Sequence, residues 1–167
     1  CVTGNTDERI SGVAEYNGHA CWIGLAPSLL GTMKVFCEIG GVPTQISDVY
    51  PGETDNPGDL QTVGGYLYFT AYRGVTQNKK LFRYDGTSVT QVSDTNPSGN
   101  DINGYPITIA GIGSTVYFSA YNGTGNHLYK FDGTTTTQVT NFNPSGSDSP
   151  NYLTVIGSEL LFSAQNN

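Results

Sequence analysis

The chain repeats itself. Leu81-Phe82-Arg83-Tyr84-Asp85-Gly86-Thr87-Ser88-Val89-Thr90-Gln91-Val92-Ser93-Asp94 returns 47 residues later as Leu128-Tyr129-Lys130-Phe131-Asp132-Gly133-Thr134-Thr135-Thr136-Thr137-Gln138-Val139-Thr140-Asn141. A diverged copy lies upstream, from Val35-Phe36-Cys37 to Gln45-Ile46-Ser47-Asp48. A fixed period of this length constrains the fold more than any single residue does, because each unit must offer the same apolar positions to its neighbours. A residue present in every copy then belongs to the framework, and one present in a single copy needs its own explanation.

One unit divides into four short strands. Gln61-Thr62-Val63 runs into Gly64-Gly65, and Tyr66 to Tyr72 forms a longer strand. The loop from Arg73 to Asn78 leads to Lys80 through Tyr84. Asp85-Gly86 then turns the chain into a strand from Thr87 to Ser93. Gly-rich two-residue connections between alternating segments signal hairpins, since tight hairpin turns need positive φ. The first turn recurs as Asn17-Gly18, Gly113-Ser114 and Gly157-Ser158. The second strand recurs as Ala20 to Gly24, Val116 to Ala120 and Leu160 to Ala164, with large residues alternating as in a strand packed between sheets. Four-stranded antiparallel units of this size, tandemly arranged, predict an all-β, propeller-like architecture. The units fall near 10–48, 60–94 and 106–141, with a partial unit over 152–167. Cys1-Val2-Thr3 reads as the last strand of a preceding unit. Propellers close with four to eight blades, so the ring is expected to be incomplete within this chain. It would be completed by further repeats, by a second copy in a dimer, or by strand exchange along a filament.

Function classes narrow on charge. A net charge of −7, with seven Lys and Arg, lacks the basic stripe that nucleic acid requires. No apolar run reaches membrane-spanning length. Charged residues are only 13% of the chain while Gly (22) and Tyr (11) are abundant, which suits a turn-rich β protein. His19 and His127 have no motif-level Ser or Asp partner. Asp55 with Asp59, and Asp94 with Asp101, read as turn caps in polar loops, so no catalytic residue is assigned. The three cysteines, Cys1, Cys21 and Cys37, lack metal-site spacing, and neither metal nor cofactor is expected. The connectors Asp48–Asp59, Asp94–Tyr105 and Asn141–Asn151 read as inter-unit wiring. The oxygens of Asp94, Asn96, Asn100 and Asp101 leave a calcium loop as the alternative.

Leu128-Tyr129-Lys130-Phe131-Asp132-Gly133-Thr134, followed by Asn143-Pro144-Ser145-Gly146 and Leu161-Phe162-Ser163-Ala164, resembles the bacterial ELWxxDGT-type repeat. The resemblance covers most of 60–167 and weakly 10–59. It departs at the Glu-Leu-Trp, where Lys80-Leu81-Phe82 and His127-Leu128-Tyr129 stand. It implies an extracellular, propeller-like surface or adhesin-like protein, and carries no catalytic motif.

Where copies differ, specific roles emerge. Tyr117 faces Lys130 and Tyr68 faces Arg83 across a hairpin, as aromatic-cation pairs. Cys21 and Cys37 replace both partners in the first unit, which predicts a Cys21–Cys37 disulfide and an oxidising compartment. Trp22 is expected in the core between blades. Tyr72 and Tyr121, at strand ends, are the candidates for ligand stacking. Asn122-Gly123-Thr124 is a glycosylation acceptor in a hairpin loop. The expected function is a non-enzymatic extracellular or cell-surface repeat protein that assembles, structurally or adhesively, with other copies of itself or further repeats. The alternative is a propeller lectin with glycan sites repeated between blades.

Overall fold

The computed structural model describes residues 10–26, 31–74, 78–102 and 109–166. The first blade comprises β1 (Ser11–Tyr16), β2 (His19–Leu25), β3 (Met33–Ile39) and β4 (Val42–Gln45). The second comprises β5 (Gly58–Val63), β6 (Tyr66–Arg73), β7 (Asn78–Tyr84) and β8 (Val89–Gln91). The third comprises β9 (Ala110–Ile112), β10 (Thr115–Tyr121), β11 (Asn126–Phe131) and β12 (Thr136–Gln138). The hairpin β13 (Asn151–Ile156) and β14 (Glu159–Ser163) follows. Each sheet is an antiparallel meander in chain order, and among the described residues there are three four-stranded sheets and one two-stranded sheet, which do not close into a ring. The fold is all-β and propeller-like, with β1 against β5, β5 against β9 and β9 against β13 along the inner side. The expected strand at Cys1-Val2-Thr3 lies outside the described residues.

Turn chemistry sets the strand lengths. Asn17-Gly18 and Gly64-Gly65 have positive φ at both positions (50° and 80°, 58° and 81°), as a tight hairpin with right-handed twist demands. The Asp85 connection differs from its two-residue expectation: four residues, 85–88, separate β7 from β8. The Asp85 carboxylate accepts the N–H groups of Thr87 and Ser88 and both hydroxyls. That cage turns the chain before pairing resumes, so β8 is shorter than the Thr87–Ser93 segment. Asp132 likewise accepts the N–H groups of Thr134 and Thr135 and the Thr134 hydroxyl, which gives Asp-Gly-Thr its physical meaning. The recurring Thr-Gln is equally local. The side-chain amides of Gln45, Gln91 and Gln138 donate to the carbonyls of Ser47, Ser93 and Thr140.

Blade faces are used directionally. Cys21, Ile23, Val35 and Cys37 of the first blade pack on Leu67, Phe69, Ala71 and Phe82 of the second. The opposite face of the second, with Val63, Tyr68 and Leu81, packs on Val116, Phe118 and Tyr129 of the third. Ala110, Leu128 and Tyr117 then meet Leu153, Leu160 and Phe162 of the hairpin. Side chains at positions i and i+1 of one strand thus serve two different interfaces.

A buried basic side chain paired with an aspartate repeats in every complete blade. Lys34 and Lys80 open the apolar part of their third strands and are inaccessible to solvent or nearly so. The Nζ of Lys34 lies 2.8 Å from Asp55 Oδ1 and 2.8 Å from Asp48 Oδ1, and it donates to the Tyr50 carbonyl. Lys80 repeats the arrangement with Asp101 at 2.7 Å, Asp94 at 3.0 Å and the Asn96 carbonyl at 2.7 Å. In the third blade His127 Nδ1 lies 2.8 Å from Asp148 Oδ2. Asp94 and Asp101 are therefore not simple turn caps: with the Asn96 carbonyl they hold an ammonium supplied by the chain itself, while Asn100 Oδ1 takes the Lys79 N–H. His127 likewise has its carboxylate partner, 21 residues downstream. Buried charge is tolerated only when paired and hydrogen-bonded; both lysine ammoniums meet this, while Asp101 Oδ2 is buried without a hydrogen-bond partner among the described residues.

Candidate functional site

The buried aspartates also join neighbouring blades, and this placement builds the site. The carbonyl of Asp55 accepts the N–H of Tyr72 (2.8 Å), and Asp101 accepts that of Tyr121 (2.6 Å). Asp148 accepts that of Gln165 (2.7 Å). Tyr72 and Tyr121 thus share one backbone role, but their side chains diverge. The Tyr121 hydroxyl donates to Gly123 O within its own hairpin, whereas Tyr72 lines an open cleft.

The cleft, about 550 Å³, lies where the first two blades and the connector following the second meet. Ile23 and Ile102 give it apolar wall, and Asp59, Lys79 and Asn100 line it with polar groups. Asp59 sits in a bulge: pairing of β5 with β6 slips between Gly58 and Gln61, leaving Asp59 at φ 55°. The equivalent bulges of the first blade and the hairpin hold Gly12 (φ 73°) and Tyr152 (φ 56°). Thr70 Oγ1 donates to Asp59 Oδ2 at 3.0 Å. Burial pushes the Asp59 carboxyl above its usual range, outweighing the Thr70 hydrogen bond and the nearby Lys79 charge that pull it down. Asn100 Oδ1 accepts the Lys79 N–H at 2.6 Å. In the other blades Lys79 is replaced by Met33 and Asn126. The combination of Asp59 and Lys79 therefore occurs at one junction among the described residues. The bulge was invisible in the sequence, since Asp59 reads as an ordinary loop acid.

Cys21 and Cys37 are directly cross-strand, with Cα atoms 4.0 Å apart, and form the expected disulfide at the interface between the first two blades. The registers Tyr68–Arg83 and Tyr117–Lys130 are also as expected. The cation–π contacts are not. Arg83 lies over Tyr66 (4.7 Å) and over Phe131 of the next blade (5.1 Å), and Nη1 donates to Gly133 O. Tyr68 is fully buried among apolar neighbours, so the guanidinium reaches past it to the blade edge. Lys130 is exposed. Asn122 lies between β10 and β11, where its Oδ1 accepts from the N–H groups of Thr124 and Gly125 and the Thr124 hydroxyl.

Trp22 also departs from expectation. It stacks on Phe36 (6.1 Å) but is only half-buried, because it lies on the outward face of the first blade. The equivalent Phe69 and Phe118 are fully buried by a preceding blade. Val13 beside it is 68% exposed, while Leu60 at the matching position packs into the interface of the first two blades. At the other end Leu161 and Ile156 are 51% and 60% exposed, where Tyr68 and Val63 are buried. The two outer faces are thus the two unlike halves of the interface that joins the inner blades. Among the described residues no helix is long and apolar enough to cross a membrane.

No family model and no curated protein matches the chain. Among solved structures it is similar to the beta-propeller domain of the Trilobed protease from Pyrococcus furiosus, described as having an open velcro topology. The identity is 13% and the TM-score 0.46. The match covers 78% of this chain and 39% of the other, so the chain spans well under half the length of that structure.

Proposed function

We propose that this protein is a non-enzymatic structural or adhesive repeat module of the cell surface or extracellular space. It assembles through its open outer blades with further copies or further repeats. The observation that carries this reading is the pair of unlike outer faces. Val13 and Trp22 occupy positions that elsewhere receive a preceding blade, and Ile156 and Leu161 occupy positions that elsewhere receive a following one. A face of one kind is complementary to a face of the other, so contacts of this type are head-to-tail and give a closed ring or an open fibre. The Cys21–Cys37 disulfide supports an oxidising compartment, and the resemblance to surface repeats points the same way.

Sedimentation velocity across a concentration series tests the reading. Oligomers or fibres that disappear in Leu161→Asp, with β circular dichroism retained, are the expected result. A folded monomer at every concentration overturns it.

A further inference from the structure

The cleft beside Tyr72 lies away from the exposed outer faces, and its apolar floor is the rim of the inter-blade cores, through Ile23 and Ile102. We propose that it binds a neutral sugar residue. Its volume, about 550 Å³, falls within the roughly 300–1,000 Å³ of small-molecule sites. Tyr72 is half-buried and provides an aromatic wall with a polar tip, suited to one face of a pyranose.

The polar groups around that wall are of both kinds. Asp59 Oδ2 is taken by the Thr70 hydroxyl, and Oδ1 remains as acceptor. The Lys79 ammonium forms no ion pair within salt-bridge distance among the described residues, and is a donor. The Asn100 Oδ1 is fixed by the Lys79 N–H, which leaves its NH₂ as a second donor. Hydroxyls give and accept hydrogen bonds at once, and a ring carrying several of them satisfies this mixed set. An anion meets the Asp59 carboxylate and a cation meets Lys79, so neither is favoured.

The bulge brings the carboxylate to the cleft. The equivalent left-handed positions hold Gly12 in the first blade and Tyr152 in the hairpin, so the conformation is common to all three, and the second blade is the one that places a carboxylate there against the cleft.

Methyl glycosides of glucose, galactose and mannose, titrated by calorimetry and by saturation-transfer NMR, are the probes. At least one is expected to bind the intact protein. Asp59→Gly keeps a residue suited to the bulge while deleting the carboxylate, and is expected to weaken binding about tenfold. Tyr72→Ala is expected to abolish the ring's saturation-transfer signal, and Tyr121→Ala to leave it unchanged. Absence of binding by all three glycosides overturns the proposal, as does full affinity in a folded Asp59→Gly variant. Sedimentation of the same variants reads the outer faces separately, so failure here leaves the assembly reading standing and the reverse also holds.

Discussion

Asp101 holds the Lys80 ammonium at 2.7 Å with its carboxylate, while its carbonyl takes the Tyr121 N–H of the next blade at 2.6 Å. One connector residue thus neutralises a buried charge in one sheet and fixes the position of the following sheet. Its carboxylate also accepts the Asn96 N–H, so the connector is shaped around it. Asp55 and Asp148 repeat the arrangement with Lys34 and His127.

Removing the carboxylate leaves the buried ammonium with only the half-exposed Asp94 and the Asn96 carbonyl. Asp101→Ala is expected to cost about 3 kcal/mol of stability, the lower end for a broken buried pair, measured by urea unfolding. Lys80→His tests whether the site accepts the side chain used by the third blade. It should be far milder than Asp101→Ala, because a histidine serves the same geometry at His127.

The disulfide contributes separately. Cys21 and Cys37 lie 16 residues apart in the chain and span neighbouring strands at the interface between the first two blades. Reduction, or the double change Cys21→Ser with Cys37→Ser, is expected to lower stability by about 3 kcal/mol. Unfolding of the double variant should be insensitive to reductant.

Acid should destabilise the fold through its turn and connector carboxylates. Backbone hydrogen bonds from Thr135 and Thr134, with the Thr134 hydroxyl, hold Asp132 down to about 2. Burial raises Asp148, but hydrogen bonds from Thr140, His127 and the Asn143 N–H outweigh it and leave it below the usual 3.8. A carboxyl with a depressed native pKa is protonated first in the unfolded chain. Its contribution is therefore complete above about pH 4 and is lost as pH falls toward 2. Asp59, raised by burial, has the opposite sign and offsets part of the loss. Urea midpoints measured between these limits should fall with pH, and less steeply in Asp132→Asn.

The repeat made most of this architecture legible, because tight hairpins leave glycine and asparagine at fixed places and buried strands leave alternating large residues. The disulfide was legible for a different reason. Two facing positions changed together in one copy, and pairing register converts such a change into a contact. The Lys80–Asp101 pair was harder to see, although a basic residue followed 21 positions later by aspartate was present in each complete unit. Nothing local distinguishes an aspartate that caps a turn from one that receives a lysine from another element. Exposure of Trp22 was not legible at all, since burial there depends on a neighbouring blade rather than on the strand itself. The cleft depended on a bulge at Asp59, and alternation patterns do not register one inserted residue in a short inner strand.

Close backbone approach gives the sharpest stability test. Gly125 precedes β11 and lies under the Asn143–Ser147 connector. A Cβ there would sit 1.9 Å from Gly146 O and 2.4 Å from Gly146 C. These are backbone atoms of a shaped turn, in which the Gly146 N–H bonds to the Asn143 carbonyl, and they cannot rotate aside. Gly125→Ala must therefore push the connector outward, loosening Asp148 from His127 and the hairpin from the third blade. The expected cost is about 1–3 kcal/mol, in the range of overpacked interiors. Hydrogen exchange should locate the loss in the hairpin and the 141–150 connector, with the first two blades unchanged. Uniform loss of protection across all blades would mean that the sheets unfold as one unit and that the connector does not act locally.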